Sequence, residues 1–185
     1  EEELIIRLEE KYEQLREFNR IKEVPAPAHL EPILRPYQVH GFHWLNYLQE
    51  VNWGGILADD MGLGKTIQAL SFLHHFKETH GRLLALVVCP TTLMFNWENE
   101  IKKFTPDLTY HIHHGGDRTR NKQALSEYNV IITTYGTLRS DIKLLLELAF
   151  DYAVLDESQA IKNPGSKVTK AACLLHAKHR LCMSG

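Results

Sequence analysis

An α/β layer built on a mostly parallel sheet is predicted by three features of the 185-residue chain. Short apolar runs recur at 55–58, 83–89, 108–112, 129–134, 152–155 and 180–183. Helix-length stretches lie between them at 65–79, 93–104, 118–127, 136–149 and roughly 165–177, and strand–helix alternation is the pattern of parallel strands joined by crossovers. Several runs, Leu83–Cys89 among them, are continuously apolar rather than alternating, which suits strands covered by helices on both faces.

Within residues 3–23, Leu4, Leu8, Tyr12, Leu15 and Phe18 recur at steps of three and four, one stripe of an amphipathic helix. Pro25, Pro27, Pro32 and Pro36 make the following segment an extended linker. Residues 1–32 therefore read as a flanking helix and linker, and residues 33–185 as one domain. Pro36 suits the first position of a second helix. Tyr37, Trp44, Leu45 and Leu48 form its apolar face, and Asn52 and Gly54 end it.

Composition excludes several classes. With 44% hydrophobic and 24% charged residues, the chain is neither disordered nor fibrous. No apolar run reaches the roughly 18 residues of a membrane span, so no membrane partner is expected. Three scattered cysteines without CxxC spacing argue against a disulfide scaffold or zinc knuckle and for a reducing, intracellular setting. The net charge of −2 does not itself suggest nucleic acid. After Glu157, however, come Lys162, Lys167, Lys170, Lys178 and Arg180 and no acid, so local basic surface can exist on a neutral body. His74-His75 and His111-x-His113-His114 lack metal-site spacing and read as surface or half-buried polar residues. The cysteines read as core packing, and Trp44, Trp53 and Trp97 as core and rim aromatics.

The strand 55–58 runs into Asp59-Asp60-Met61-Gly62-Leu63-Gly64-Lys65-Thr66 and then a helix. This departs from GxxxxGK[ST] only at Asp59. Gly62 and Gly64 let backbone amides turn inward around phosphate oxygens, and the helix adds its positive N-terminal end. Lys65 can reach the β- and γ-phosphates, and Thr66 can ligate Mg²⁺. Tyr152–Leu155 is a second strand ending in Asp156-Glu157. A strand-end Asp can hold the Mg²⁺ of a phosphoryl-transfer site and a neighbouring Glu can orient the attacking water. Two adjacent carboxylates at a buried strand end are costly without a compensating cation.

These residues resemble the Swi/Snf-type remodelling ATPases, a branch of the superfamily-two helicase-like translocases. Asp59–Thr66 with Ile67-Gln68-Ala69-Leu70 is similar to motif I, and Leu34–Gly41 to the segment before it, whose glutamine reads adenine. Val88–Leu93 with Asn96, Trp97 and Glu100 is similar to motif Ia, and Ile132–Tyr135 to the next strand-end motif. Asp156-Glu157-Ser158-Gln159 with Ile161-Lys162-Asn163 is similar to the DEAH/DEAQ box, and Cys182–Gly185 to the start of motif III.

The resemblance implies a RecA-like lobe that binds ATP and Mg²⁺ through Gln38, Asp59, Asp60, Met61, Gly62, Leu63, Gly64, Lys65 and Thr66. It implies catalysis by Lys65, Asp156 and Glu157, with Thr66 and Asp156 holding the metal. Thr91, Thr92, Thr133, Thr134 and Tyr135 are expected at nucleic-acid phosphates; by position alone the threonines read equally as helix caps. Gln159, Ser184 and Gly185 are expected to couple the two activities. The sequence stops inside motif III, so the resemblance implies the first lobe of a longer protein, monomeric by itself, whose second RecA-like lobe supplies an arginine. That protein is expected to be an ATP-driven translocase on double-stranded DNA, gripping the phosphate backbone. A strand-separating helicase, and an ATP-binding interaction module without turnover, are the alternatives. Motif wording leans to a bacterial, cytoplasmic member; a eukaryotic one would be nuclear.

Overall fold

Six strands, all parallel, form one sheet in the order β1-β6-β5-β2-β4-β3. They are β1 (Gly55–Ala58), β2 (Ala85–Cys89), β3 (Tyr110–His113), β4 (Val130–Thr134), β5 (Phe150–Leu155) and β6 (Ala177–Ser184). The computed structural model describes residues 21–58, 64–161 and 163–184. Asp59–Leu63, Lys162, Gly185 and nearly all of the expected flanking helix lie outside the described residues.

The continuous apolar runs take the form their burial requires. Along β2, Ala85, Val87 and Cys89 enter one core while Leu86 and Val88 enter another. In β5, Tyr152 and Val154 face the first core and Ala153 and Leu155 the second, the two-residue side-chain period of a strand. The first core is closed by helices α1 (Pro36–Glu50), α2 (Lys65–His80) and α3 (Met94–Phe104). The second is closed by α4 (Lys122–Ser126), α5 (Tyr135–Ser140), α6 (Ile142–Leu145) and α7 (Lys167–Leu174). At the two expected points, α1 begins on Pro36 and stops before Asn52, whose φ is 56°.

Two expected helices are shorter than their sequence pattern. The stretch 118–127 yields only α4, started by Asn121 Oδ1, which accepts from the amides of Gln123 and Ala124. The stretch 136–149 is divided at Asp141, which ends α5 and starts α6. Its carboxylate is turned into a buried cluster, accepting from Arg118 and bonded to His113. His113 is thereby fully buried rather than at the surface. Of the cysteines only Cys89 is buried; Cys182 is half-buried and Cys173 exposed. No helix among the described residues is long and apolar enough to cross a membrane, and among them no group of three or more His, Cys, Asp or Glu side chains is arranged to hold a metal ion.

Candidate nucleotide site and nucleic-acid face

The carboxyl ends of β1, β2, β5 and β6 meet at one cavity of about 300 Å³, with Lys65 and Thr66 on one wall and Asp156 and Glu157 on another. Open α/β sheets bind ligands at the carboxyl ends of their strands. Two pairs of residues far apart in sequence are thus brought together by strand order: β6 pairs with β1 on one side and β5 on the other, with Ser184 opposite Ala58. Leu93, Asn96 and Glu100 of the α3 segment, with Met183, complete the lining.

Gly64 introduces α2 in the left-handed conformation, φ 73°. A Cβ at Gly64 would also lie 2.4 Å from Gln38 Nε2, so both the backbone and the space exclude other residues. Gln38 is 7% exposed, and its Oε1 accepts from Arg35 N at 2.9 Å, fixing the start of α1. The expected adenine reader is therefore packed against the hinge of the phosphate loop. Asp59, Asp60, Met61, Gly62 and Leu63, expected to bind nucleotide with Gly64, fall outside the described residues.

Asp156 continues from β5, its amide donating to Val88 O at 2.8 Å. Its Oδ2 accepts from Trp97 Nε1 at 2.9 Å, its Oδ1 from the Glu157 amide at 2.8 Å, and its carbonyl from the Tyr135 hydroxyl at 2.6 Å. Burial raises the Asp156 carboxyl above its ordinary value, against the bonds from Trp97 and Glu157 and the charge of Lys65. Burial and the Asp156 charge likewise raise Glu100, whose Oε2 is sealed from solvent without a hydrogen-bond partner. Glu157 has φ 50°, a strained value for a side chain larger than glycine. Gln159 donates to Glu157 Oε2, which links a residue expected in coupling to one expected in catalysis.

The set of groups fits a hydrated Mg²⁺ and a polyphosphate. The hard oxygen donors Thr66, Asp156 and Glu157 suit that metal. An orphaned carboxylate oxygen at Glu100 suits donors on its water shell, and Lys65 with the helix terminus suits anionic oxygens.

The expected nucleic-acid residues divide. Thr91 and Thr92 are exposed in a 3-10 turn between β2 and α3 and form no side-chain cap. Thr133, Thr134 and Tyr135 are placed otherwise. Thr133 is fully buried and donates to His113 O at 2.8 Å; Thr134 Oγ1 accepts from Thr137 N and caps α5; Tyr135 is spent on Asp156. These side chains are turned inward and bonded within the fold, with Thr134 capping α5. Of the basic residues after Glu157, Lys178 lies 3.7 Å from Asp151, and Arg180 donates to the carbonyls of Cys173 and Leu175. Lys162 is outside the described residues.

Asn96, Trp97 and Glu100 are the site residues that sequence reading left among motif similarities. The fold sets all three on the side of α3 that faces Asp156.

A parallel sheet with a glycine-hinged helix and a strand-end acidic pair around one cavity defines a P-loop nucleoside triphosphatase lobe with the RecA-like fold. The family model of the SNF2-related domain matches residues 37–185, and the chain belongs to that family. It is 36% identical over 186 residues to the TATA-binding protein-associated factor mot1 of Aspergillus fumigatus, covering 93% of this chain and 10% of that protein. It is 38% identical over 154 residues to an uncharacterized ATP-dependent helicase of Mycoplasma pneumoniae, covering 82% of this chain and 15% of that one. Among solved structures, the Sulfolobus solfataricus SWI2/SNF2 ATPase core in complex with dsDNA superposes with a TM-score of 0.78 at 39% identity, over 89% of this chain and 33% of that chain. The chain thus carries part of the SNF2-family ATPase core found in helicase-like and translocase proteins, and spans a third or less of the length of these relatives.

Proposed function

We propose that this chain is the nucleotide-binding first lobe of an ATP-driven translocase on double-stranded DNA. One observation carries the reading: Lys65 and Thr66, at the start of α2, share a cavity with Asp156 and Glu157, at the end of β5. Lys65 holds the β- and γ-phosphate oxygens, where charge accumulates as the terminal bond breaks. The amide of Gly64 and the first turn of α2 add positive partial charge at the same point. Asp156, with both carboxylate oxygens already oriented by donors, presents its remaining lone pairs to the metal's water shell. Glu157 takes the proton of the attacking water. Bound Mg²⁺ would neutralise the β- and γ-oxygens as the leaving group departs. Gln38 supports the phosphate-loop hinge and reads adenine with the part of its amide that faces the ligand.

DNA contact runs through Thr91 and Thr92, which are exposed and whose hydroxyls suit phosphate oxygens. Thr133, Thr134 and Tyr135 act behind that surface, holding β4 and Asp156. The solved relative in complex with dsDNA supports this choice of ligand. The test is titration with ATP and Mg²⁺. Lys65→Ala should remove most nucleotide affinity, and unchanged affinity in that variant excludes the assignment. A short duplex should bind this chain only at micromolar concentration or above, the range of non-specific contact; nanomolar binding would show that the DNA surface is misplaced.

A further inference from the structure

We propose that Trp97 is a positioning residue for Asp156: its indole N–H fixes the plane of the carboxylate that faces the metal. The inference rests on the reading of Asp156 as the Mg²⁺-facing acid.

The carboxylate has two oxygens and two fixed donors. The Glu157 amide holds Oδ1 from the next peptide, and Trp97 Nε1 holds Oδ2 from another element at 2.9 Å. The terminal torsion of an aspartate is broad, so one donor alone leaves the plane free to swing about it. Two donors on different oxygens set it. Trp97 can act as a fixed point because it is fully buried, packed with Met94 and Ile101 on the core face of α3.

A buried indole N–H needs a partner for its own sake, and a backbone carbonyl would serve that purpose. Here the partner is instead a carboxylate that lines the cavity among the charges of Lys65, Glu157 and Glu100. Outer donors of this kind orient metal-facing groups and are worth roughly 10–100-fold in metal affinity. The same helix begins directly after the exposed Thr91-Thr92 turn, so Trp97 also ties Asp156 to the element that the proposed function sets against DNA.

The experiment measures the Mg²⁺ concentration needed for tight binding of a fluorescent ATP analogue by the 185-residue chain, beside binding of that analogue in EDTA. Trp97→Phe keeps an aromatic ring and removes the donor. The Mg²⁺ midpoint should rise about tenfold, while affinity in EDTA stays within about twofold of the parent. A purely structural role would move both readouts together, or only the melting temperature. If Trp97→Phe is not folded, benzothienylalanine at Trp97, which keeps the bicyclic volume and lacks the N–H, makes the same comparison. An unchanged Mg²⁺ midpoint in a folded variant, with Asp156→Asn showing the loss of Mg²⁺ dependence, overturns the positioning role alone. Unchanged Mg²⁺ dependence in Asp156→Asn as well overturns the metal assignment and the positioning role with it.

Discussion

Arg118 clasps Asp141 at the junction of α5 and α6, its Nη2 lying 2.7 Å from Oδ1 while Nε donates to Oδ2. His113 Nε2 reaches that same Oδ2 at 2.8 Å. The guanidinium, with the imidazole behind it, holds the Asp141 carboxyl at about 2. A depressed acid stabilises the fold above its unfolded value and loses that contribution as pH falls through the folded one. The chain should therefore lose stability between about pH 4 and pH 2 through this group. Arg118→Ala leaves a buried carboxylate with only a histidine and should destabilise by on the order of 3 kcal/mol. Arg118→Lys should recover little, because one ammonium cannot make both bonds. Urea unfolding at pH 7 and pH 3 measures both effects; equal losses at the two pH values would remove the ion pair from the explanation.

Gly64→Ala should damage nucleotide binding more than stability alone explains. Gly81 provides the control, since its φ of 72° nearly equals the 73° of Gly64 but a Cβ there meets nothing within 4 Å. Alanine at either position carries the left-handed backbone penalty of about 1–2 kcal/mol. At Gly64 the new methyl group also displaces Gln38 from the hinge of the phosphate loop. Thermal melting should show a larger loss for Gly64→Ala, and only that variant should lose ATP affinity, by more than about tenfold. Equal behaviour of the two variants would show that the Gln38 contact has no function.

Local pattern made most of the sheet legible, because burial on both faces writes itself into consecutive residues, as in Leu83–Cys89. Pro36 marked a helix start for an equally local reason. The break at Asp141 was not legible: its partners His113 and Arg118 lie 28 and 23 residues away, and no periodicity reports such a pair. Glycine hinge and acidic pair were readable as motifs, since each is contiguous. The wall formed by Asn96 and Glu100 needed the strand order that sets β2 beside β5. Thr133 and Thr134 show the limit from the other side. A threonine at a strand end can donate outward or inward, and only the depth of β4 beneath α5 decides it.

Glu100→Gln should stabilise the metal-free chain, increasingly as pH rises. Burial and the Asp156 charge raise the Glu100 carboxyl above its ordinary value. A raised acid contributes fully below its unfolded value and becomes unfavourable as pH rises through the folded one. The variant removes that penalty, so its melting temperature should exceed the parent's by a few degrees at pH 8 and hardly at all at pH 4. Saturating Mg²⁺ and nucleotide should narrow the gap, because the cation's charge beside Glu100 and Asp156 favours their ionised forms. A constant difference across this range would mean that Glu100 does not titrate in the fold.

ATP turnover by the 185-residue chain should be very slow, and duplex DNA should not raise it. Lys65, Thr66, Asp156 and Glu157 supply a cation, metal-facing oxygens and a base at one cavity. No arginine among the described residues lines that cavity. Arg118 is committed to Asp141, Arg180 to the end of α7, and Arg82 lies 4.0 Å from Asp151 before the opposite end of β5. Arg120 and Arg139 are exposed on the segments around α4 and α5. An arginine at the γ-phosphate contributes about 10³–10⁵ in rate, and in the proposed reading it comes from a second lobe that DNA closes onto this one. Steady-state phosphate release with and without a duplex tests the argument. Turnover should stay far below one per second in both cases, and Glu157→Gln should lower it further without weakening nucleotide binding. Several turnovers per second, abolished by Glu157→Gln, would require an arginine to reach the cavity from within the chain or from a second copy of it. Arg35→Ala, Arg120→Ala and Arg139→Ala would then test these exposed arginines of the described residues as its source.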